Sequence, residues 1–227
     1  QILDVKPFDL LVDFMGALVL EIKQKFGLDT KEVNLGGGIG IQYTSDETIV
    51  NIPSFLKSIV EKVNAEFKRL DLIVPKLLFE PGRSVIGSAG ITLYSIGAVK
   101  KVTDQKTYLF VDGGMADNPR PIMYQADHTF ALALNKENIE DRPKRVYSIA
   151  GKYCESGDIL AEDVMLPEVH VGDVLVVFGT GAYNYSMASN YNRCCRPAMV
   201  MVNEGKVVEL VTRETYEDII RFDCSVT

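Results

Sequence analysis

The sequence predicts a chain of two parts, an α/β unit over residues 1–90 and a β-sheet unit over residues 91–227. In the first part, helix-like and strand-like segments alternate with short connections, which is typical of a parallel sheet or barrel. In the second part, short strand-like segments are separated by Gly, Asn and Asp, which is typical of an antiparallel β-sandwich or barrel. A length of 227 residues allows one large domain or two small ones.

The first predicted helix covers residues 6–27. Pro7 suits a first helical turn, and Gly27 suits a helix end. Apolar side chains recur at helical spacing along this segment, and we expect the following ones to face the core: Leu11, Met15, Leu18 and Ile22. A short strand-like segment comes next, with the sequence EVNLGG at residues 32–37.

The second predicted helix runs from about Pro53 to Leu70. Its expected core face consists of apolar side chains at helical spacing, namely Leu56, Ile59, Val60, Val63 and Phe67. The segment LIVPKLLFEPG, residues 72–82, then has the pattern of a buried strand. Because two strands and two helices cannot cover both faces of a parallel sheet, we expect residues 1–90 to be the last part of a larger domain.

The second part of the chain contains six strand-like segments: ITLYSIGAVKKV, KTYLFVDGG, RVYSIAG, GDVLVVFG, PAMVMVNEG and KVVELVTRE. Turn-forming residues separate them, and VNEGKVV is typical of a β-hairpin. The change of character falls near residues 88–92, where we place the boundary between the two parts.

Composition and charge narrow the classes of function. The formal net charge of -7 disfavours binding to nucleic acid and to anionic membrane surfaces, both of which attract basic proteins. No apolar segment reaches the length of a membrane-spanning helix. The four cysteines, which include the adjacent Cys194 and Cys195, suit neither a disulfide framework nor a zinc site. A reducing compartment is therefore expected, with the cytoplasm as the default.

Two motifs in the first part follow predicted strands. The glycine-rich segment around Gly36, Gly37 and Gly38 lacks the dinucleotide-binding pattern because Ile41 stands where the last glycine should be. Its backbone is suited either to a tight turn or to presenting N–H groups to a phosphate. The second motif, EPGRS, contains Arg83, which is either an exposed turn residue or a ligand for a carboxylate or phosphate.

Three motifs in the second part carry candidate chemistry. The segment VDGGMADNPRPIMYQADH contains Arg120 and Tyr124, an arrangement that suits an anionic group, and His128, for which a structural role is favoured. The segment CESGD places the Cys154 thiol beside a carboxylate in a turn, so that Cys154 is either a reagent or a small residue closing the turn. The segment GTGAYNYSMASNYN presents Tyr183 among small residues.

The order of these motifs is more specific than any one of them. Taken together, the motifs resemble those of the diaminopimelate decarboxylase family. They are, in chain order, the glycine-rich loop, EPGRS, DGGM with the following RP and Tyr, CESGD, and GAY with the following MAS and YN. The resemblance spans nearly the whole chain. It implies membership of the alanine-racemase-like, fold-type III decarboxylases, which use pyridoxal 5′-phosphate (PLP) and combine a (β/α)8 barrel with a β-domain. The expected division is an incomplete last part of the barrel over residues 1–90 and a β-domain over residues 91–227.

The resemblance also implies roles for individual residues. The positions that would bind PLP are Gly36, Gly37, Gly38, Glu80, Pro81, Gly82, Arg83 and Tyr183. The positions that would bind substrate are Arg83, Arg120, Tyr124, Glu155 and Tyr183. Cys154 matches the proton donor, and Glu155 matches the residue that recognises the far end of the substrate. The family works as a homodimer, in which Cys154 and Glu155 would be supplied to the active site of the partner subunit.

The implied reaction is decarboxylation of meso-2,6-diaminopimelate, a small amino-acid substrate, to L-lysine and carbon dioxide. Ornithine-type relatives usually have Asp after the cysteine, so the longer Glu155 favours diaminopimelate. The Schiff-base lysine of the family would lie before residue 1, and we therefore expect the chain to be the carboxyl-terminal part of the enzyme and inactive alone. The alternatives are a decarboxylase of another basic amino acid or carboxylated polyamine, and a non-catalytic decarboxylase-like module.

Overall fold

The computed structural model describes residues 1–133 and 139–224. The chain divides into two compact units, Gln1–Ala89 and Gly90–Thr227, which we call the α/β unit and the sheet unit. Within the described residues, no helix combines the length and the apolar character needed to cross a lipid bilayer.

The α/β unit contains two long helices and a two-stranded parallel sheet. Its elements in chain order are α1 (Lys6–Phe26), β1 (Glu32–Asn34), α2 (Ile52–Arg69), β2 (Lys76–Leu78) and the single turn α3 (Arg83–Ile86). Strands β1 and β2 pair in parallel, with Val33 opposite Leu77. Because the strands are parallel, the segments that follow them emerge at the same edge of the sheet.

Helix α1 ends where the sequence predicts, but its buried face overlaps the predicted one only in part, since Leu11 and Met15 are partly buried and pack against the core. Gly27 adopts a left-handed conformation (φ 67°) and its N–H donates to the Lys23 carbonyl, which terminates the helix. The buried side chains are Phe8, Val12 and Val19, whereas the predicted core residue Leu18 is 38% exposed. The prediction for Leu18 was wrong because apolar residues lie nearly all round α1, so their spacing does not select one face.

Helix α2 follows its predicted pattern more closely. The Asn51 side chain accepts a hydrogen bond from the Ser54 N–H and caps the helix start. Ile59, Val63 and Phe67 are buried as predicted, but Val60 is 41% exposed. Val60 is rotated by about 100° from Ile59 around the helix axis, which places it at the margin of the buried face.

The sheet unit is built on a six-stranded sheet. Its strands are β3 (Ile91–Lys101), β4 (Thr107–Val111), β5 (Phe130–Leu132), β6 (Lys144–Ala150), β7 (Ile159–Pro167) and β8 (Val174–Phe178). They lie in the order β5-β8-β3-β4-β6-β7. A short helix, α4 (Arg120–Tyr124), lies between β4 and β5 in the chain. The sheet encloses a core that includes Tyr94, Ile96, Leu109, Val111, Ile149, Leu166, Leu175 and Val177.

The predicted pairing is wrong at one place in this sheet. Strands β4 and β6 pair in parallel, whereas all other neighbours in the sheet are antiparallel. The connection between them, residues 112–143, is long enough to cross over, as a parallel pair requires. The edge strands β5 and β7 also approach each other, so the mixed sheet is nearly closed into a barrel. Neither of these two strands is among the six predicted strand-like segments.

The last elements form a separate hairpin and a helical turn. Strands β9 (Met199–Asn203) and β10 (Lys206–Val211) pair in an antiparallel sheet of their own, followed by α5 (Tyr216–Ile220). The two turn residues, Glu204 and Gly205, have φ values of 49° and 75°. Positive φ at both positions is what a two-residue hairpin turn of type I′ requires. The predicted hairpin at VNEGKVV is therefore confirmed.

Candidate functional site

In the α/β unit, backbone hydrogen bonds continue beyond β1 and β2 and join the two predicted motifs. The Leu35 N–H donates to the Leu78 carbonyl at 3.0 Å, and the Glu80 N–H donates to the Gly36 carbonyl at 2.8 Å. The glycine-rich loop and the EPG segment therefore lie side by side at one edge of the sheet. Gly36 and Gly38 have φ values of 71° and 91°, which favour glycine.

Asn34, which the sequence analysis did not single out, fastens these two segments. Its Oδ1 accepts a hydrogen bond from the Gly36 N–H at 2.8 Å, and its Nδ2 donates to Glu80 Oε1 at 2.6 Å. A short amide at the end of a strand is suited to bonding with the backbone two residues further on. Its partnership with Glu80, 46 residues away, has no local signal in the sequence.

Gly37 lies where no side chain fits. A Cβ at this position would be 2.1 Å from the carbonyl oxygen of Glu80. At Gly36, by contrast, a Cβ would meet nothing within 4 Å, so only the backbone conformation favours glycine there. The loop therefore combines bare backbone with a close approach to the EPG segment, which fits a group that is held by backbone N–H donors.

Arg83 follows Pro81 and Gly82 at the start of α3 and is half-buried. Its guanidinium donates to the hydroxyl of Tyr43 and lies 5.6 Å from the centre of that ring. Arg83 is thus not a fully exposed turn residue, and its role as a ligand for a carboxylate or phosphate stays a prediction. The aromatic partner could not be foreseen because it is 40 residues away in the chain.

In the sheet unit, the buried carboxylate of Asp158 joins the DGGM loop to the CESGD turn. Asp158 is 3% exposed. Its Oδ1 accepts from the Met115 N–H at 2.7 Å, and its Oδ2 accepts from the Tyr153 N–H at 2.8 Å. Burial raises the pKa of Asp158, and the two backbone donors oppose that rise.

Two glycines make room for the Asp158 carboxylate. A Cβ at Gly114 would be 2.4 Å from Oδ1, and a Cβ at Gly151 would be 2.1 Å from Oδ2. The same two segments are joined by a backbone bond from the Lys152 N–H to the Gly113 carbonyl at 3.0 Å. Any side chain at Gly114 or Gly151 would therefore displace the group that holds the turn.

The CESGD turn, which connects β6 to β7, presents Cys154, Glu155 and Ser156 to solvent between the buried Tyr153 and Asp158. The Cys154 thiol is free and exposed. Structural cysteines are usually buried, so exposure on a fixed turn favours the reagent interpretation over the packing interpretation. The Glu155 carboxylate accepts a hydrogen bond from the Tyr191 hydroxyl at 3.2 Å.

Helix α4 packs against the same turn. A Cβ at Gly157 would be 2.7 Å from Cδ1 of Ile122, which shows how closely α4 approaches. Arg120 at the start of α4 is 6% exposed, and Tyr124 at its end is 60% exposed. The structure thus brings the helix that carries two predicted substrate residues next to the turn that carries Cys154 and Glu155.

A pair of buried amides connects the DGGM segment to the loop of Tyr183. The Asn184 side chain donates through Nδ2 to Oδ1 of Asn118, and these residues are 3% and 0% exposed. Tyr183 itself is 44% exposed. Neither asparagine was singled out from the sequence, since their partnership spans 66 residues. His128 is buried with Nδ1 2.9 Å from the Phe178 carbonyl oxygen, in keeping with a structural role.

A second acid, Asp117, holds the DGGM segment through hydrogen bonds. It accepts hydrogen bonds from the Tyr94 hydroxyl and, at 2.9 Å, from the Gly114 N–H. Burial raises the pKa of Asp117. Burial and the nearby charge of Asp117 raise the pKa of Tyr94 well above its usual range, so that Tyr94 remains a hydrogen-bond donor.

Comparison with known proteins identifies the family. The sequence profile of the family described as "Pyridoxal-dependent decarboxylase, C-terminal sheet domain" matches residues 10–181. The chain belongs to this family, as the resemblance predicted.

Individual relatives agree with this assignment. Diaminopimelate decarboxylase of Bacillus subtilis strain 168 is 45% identical over 223 residues, which cover 98% of this chain and 50% of the relative. Its counterpart from Synechocystis sp. is 49% identical over 199 residues, covering 88% and 42%. A crystal structure of diaminopimelate decarboxylase from M. jannaschii in co-complex with L-lysine has a TM-score of 0.89 and 37% identity, covering 100% of this chain and 50% of that one. The chain thus spans about half the length of the relatives it matches.

The contrast between two adjacent glycines yields a first prediction. In the full-length protein, Gly37→Ala should destabilise the fold by about 3 kcal/mol or more, because the new Cβ overlaps the Glu80 carbonyl oxygen, a backbone atom that cannot move aside as a side chain can. Gly36→Ala is the matched control and should cost only about 1–2 kcal/mol of backbone strain. Denaturant unfolding of both variants measures the difference. Equal losses, or a larger loss at Gly36, would show that the close approach to Glu80 does not constrain the loop.

Proposed function

We propose that the full-length protein is a PLP-dependent decarboxylase that converts meso-2,6-diaminopimelate to L-lysine and carbon dioxide. The observation that carries this proposal is the CESGD turn, in which a free thiol and a carboxylate are exposed side by side between two buried anchors. Membership of the decarboxylase family and the similarity to diaminopimelate decarboxylases support the same conclusion.

Residues of the α/β unit fit the phosphate end of the cofactor. The bare backbone of Gly36, Gly37 and Gly38 offers N–H donors to an anion, and the segment Glu80–Arg83 lies directly beside it. In the sheet unit, Tyr183 would contact cofactor and substrate. When bound, PLP supplies an electron sink for the electron pair that remains after carbon dioxide leaves.

The remaining steps depend on side chains of this chain. Cys154 would donate a proton to the carbon that has lost its carboxylate, a task for a positioned acid from which water is excluded. Glu155 would bind the ammonium group at the far end of the substrate. Arg83, Arg120 and Tyr124 would bind carboxylates, to which guanidinium groups can donate two parallel hydrogen bonds.

The proposed arrangement of the whole enzyme follows from the same assignment. The α/β unit, with its parallel strands joined through a helix, would be the last part of a (β/α)8 barrel. The sheet unit would contribute to a homodimer interface, through which Cys154 and Glu155 reach the active site of the other subunit. The setting would be cytoplasmic lysine biosynthesis.

Substrate preference tests the proposed function. We expect the full-length protein to have a higher kcat/KM for meso-diaminopimelate than for ornithine, arginine or lysine. Glu155→Asp should lose discrimination between these substrates more than it loses stability, because it shortens a recognition carboxylate. Glu162→Asp, an exposed acid on β7, is the matched control and should change neither quantity. A wild-type preference for ornithine would contradict the proposal and favour the related basic amino-acid decarboxylases.

The role of Cys154 yields a prediction about subunits. Cys154→Ala in the full-length enzyme should lower kcat by about 10²–10⁴-fold with PLP binding nearly unchanged, since a positioned acid is lost. If the thiol acts in the other subunit, this variant mixed with a variant lacking the cofactor-binding lysine should regain activity. Random re-pairing gives one intact site in each heterodimer, and therefore about a quarter of wild-type activity. Absence of recovery after verified subunit exchange would contradict action across the interface.

A further inference from the structure

The carboxylate of Glu155 is held in place although its side chain lies on an exposed turn. Its Oε2 accepts a hydrogen bond from the Tyr191 hydroxyl, which is 3.2 Å away and 36 residues further along the chain. Its Oε1 lies 3.4 Å from both Ser156 Oγ and the Gly157 nitrogen. Among the residues that the structure describes, these long contacts within the turn are the other hydrogen bonds that orient the carboxylate.

The ring of Tyr191 is fixed against the base of the same turn. It packs edge-on against the ring of Tyr153, with the ring centres 5.8 Å apart. Tyr153 is buried, and its N–H donates to the Asp158 carboxylate. The Tyr191 hydroxyl is therefore positioned through Tyr153, which is held by the same buried acid, Asp158, that holds the CESGD turn.

The residues on either side of Tyr191 are held independently, through hydrogen bonds to the Glu214 carboxylate. Asn190 donates through Nδ2 to the Cys194 carbonyl at 3.0 Å and to Glu214 Oε2 at 2.6 Å. Arg196 binds Glu214 Oε1 through two nitrogens, at 2.8 and 2.5 Å. These donors lower the pKa of Glu214 to about 2, with the Arg196 side chain as the largest cause. Glu214 therefore stays ionised and holds the loop at neutral pH.

The Tyr191 hydroxyl is suited to donating and not to accepting in this setting. Burial and the hydrogen bond to Glu155 raise the pKa of Tyr191 above its usual range. The hydroxyl therefore keeps its proton at neutral pH. It directs a hydrogen bond to a carboxylate oxygen and leaves the other lone pairs of that carboxylate for a substrate ammonium group.

We propose that Tyr191 is a positioning residue that pre-orients the Glu155 carboxylate for the far-end ammonium group of the substrate. This inference rests on the proposed function of Glu155. A glutamate that is already oriented loses less side-chain freedom when the ligand binds, so Tyr191 improves binding without touching the substrate. Its effect is therefore expected in substrate and product binding more than in turnover.

Tyr191→Phe in the full-length enzyme tests this role. The variant keeps the ring contact with Tyr153 and removes only the hydroxyl. We expect KM for meso-diaminopimelate and Kd for L-lysine, measured by calorimetry, each to rise by about 3- to 10-fold, while kcat changes by less than about twofold. Tyr216→Phe is the matched control, because Tyr216 is 74% exposed on α5, and should leave both constants unchanged.

A double-mutant cycle with Glu155→Ala separates positioning from a general structural effect. In the Glu155→Ala background the hydroxyl has no carboxylate to hold, so Tyr191→Phe should change kcat/KM and Kd by less than about twofold. The same 3- to 10-fold loss in both backgrounds, or no loss in the wild-type background, would overturn the inference. If the wild type binds L-lysine but does not decarboxylate diaminopimelate, the proposed function is contradicted instead. The double-mutant cycle measured by the Kd for L-lysine would then still test the role of Tyr191.

Discussion

The Asp158 carboxylate is the constraint on which the sheet unit's candidate site depends. A carboxylate that is 3% exposed is costly to bury unless its oxygens are hydrogen-bonded. Here each oxygen accepts from one backbone N–H, one in the DGGM segment and one at the start of the CESGD turn. The contact is possible only because Gly114 and Gly151 leave the space that side chains would fill. One buried acid thus sets the distance between two functional segments.

Along six consecutive residues, 153–158, the side chains that hold the turn are distinct from those that face solvent. Tyr153 and Asp158 point inward and hold the turn, while Cys154 and Glu155 are exposed. The same division recurs at Tyr191, whose ring packs on Tyr153 while its hydroxyl reaches the Glu155 carboxylate. The thiol and the carboxylate are therefore presented at defined positions, as the proposed roles of Cys154 and Glu155 would require.

Much of the organisation could be predicted from local sequence. Some element boundaries depend only on the backbone conformation of the residues at them, and these can be predicted from the local sequence. Examples are the boundaries at Pro7, at Gly27 and at the Glu204–Gly205 turn. The order of the motifs indicated the family, and Cys154 and Glu155 were identified as a turn. The parallel pairing of β4 with β6 was not predicted, because the choice of neighbour depends on where a long connection crosses over.

The contacts that hold the site were missed for one physical reason. Asp158 with Met115, Asn118 with Asn184, and Glu155 with Tyr191 are separated by 43, 66 and 36 residues. Local propensity carries no information about such pairs. Leu18 of α1 was misassigned for a related reason, since an apolar residue satisfies helical periodicity whether or not a neighbour covers it.

Amide hydrogen exchange in full-length Asp158→Asn tests the central role of this carboxylate most directly. Asparagine offers one acceptor and one donor, so at least one of the Met115 and Tyr153 N–H groups loses its partner. We expect amide exchange to accelerate about tenfold or more at one or both of these N–H groups, and also at the amides of the CESGD turn. The control is Asp163→Asn, an exposed position on β7, in which exchange at these amides should stay unchanged. Unchanged exchange at both amides in Asp158→Asn would contradict the account.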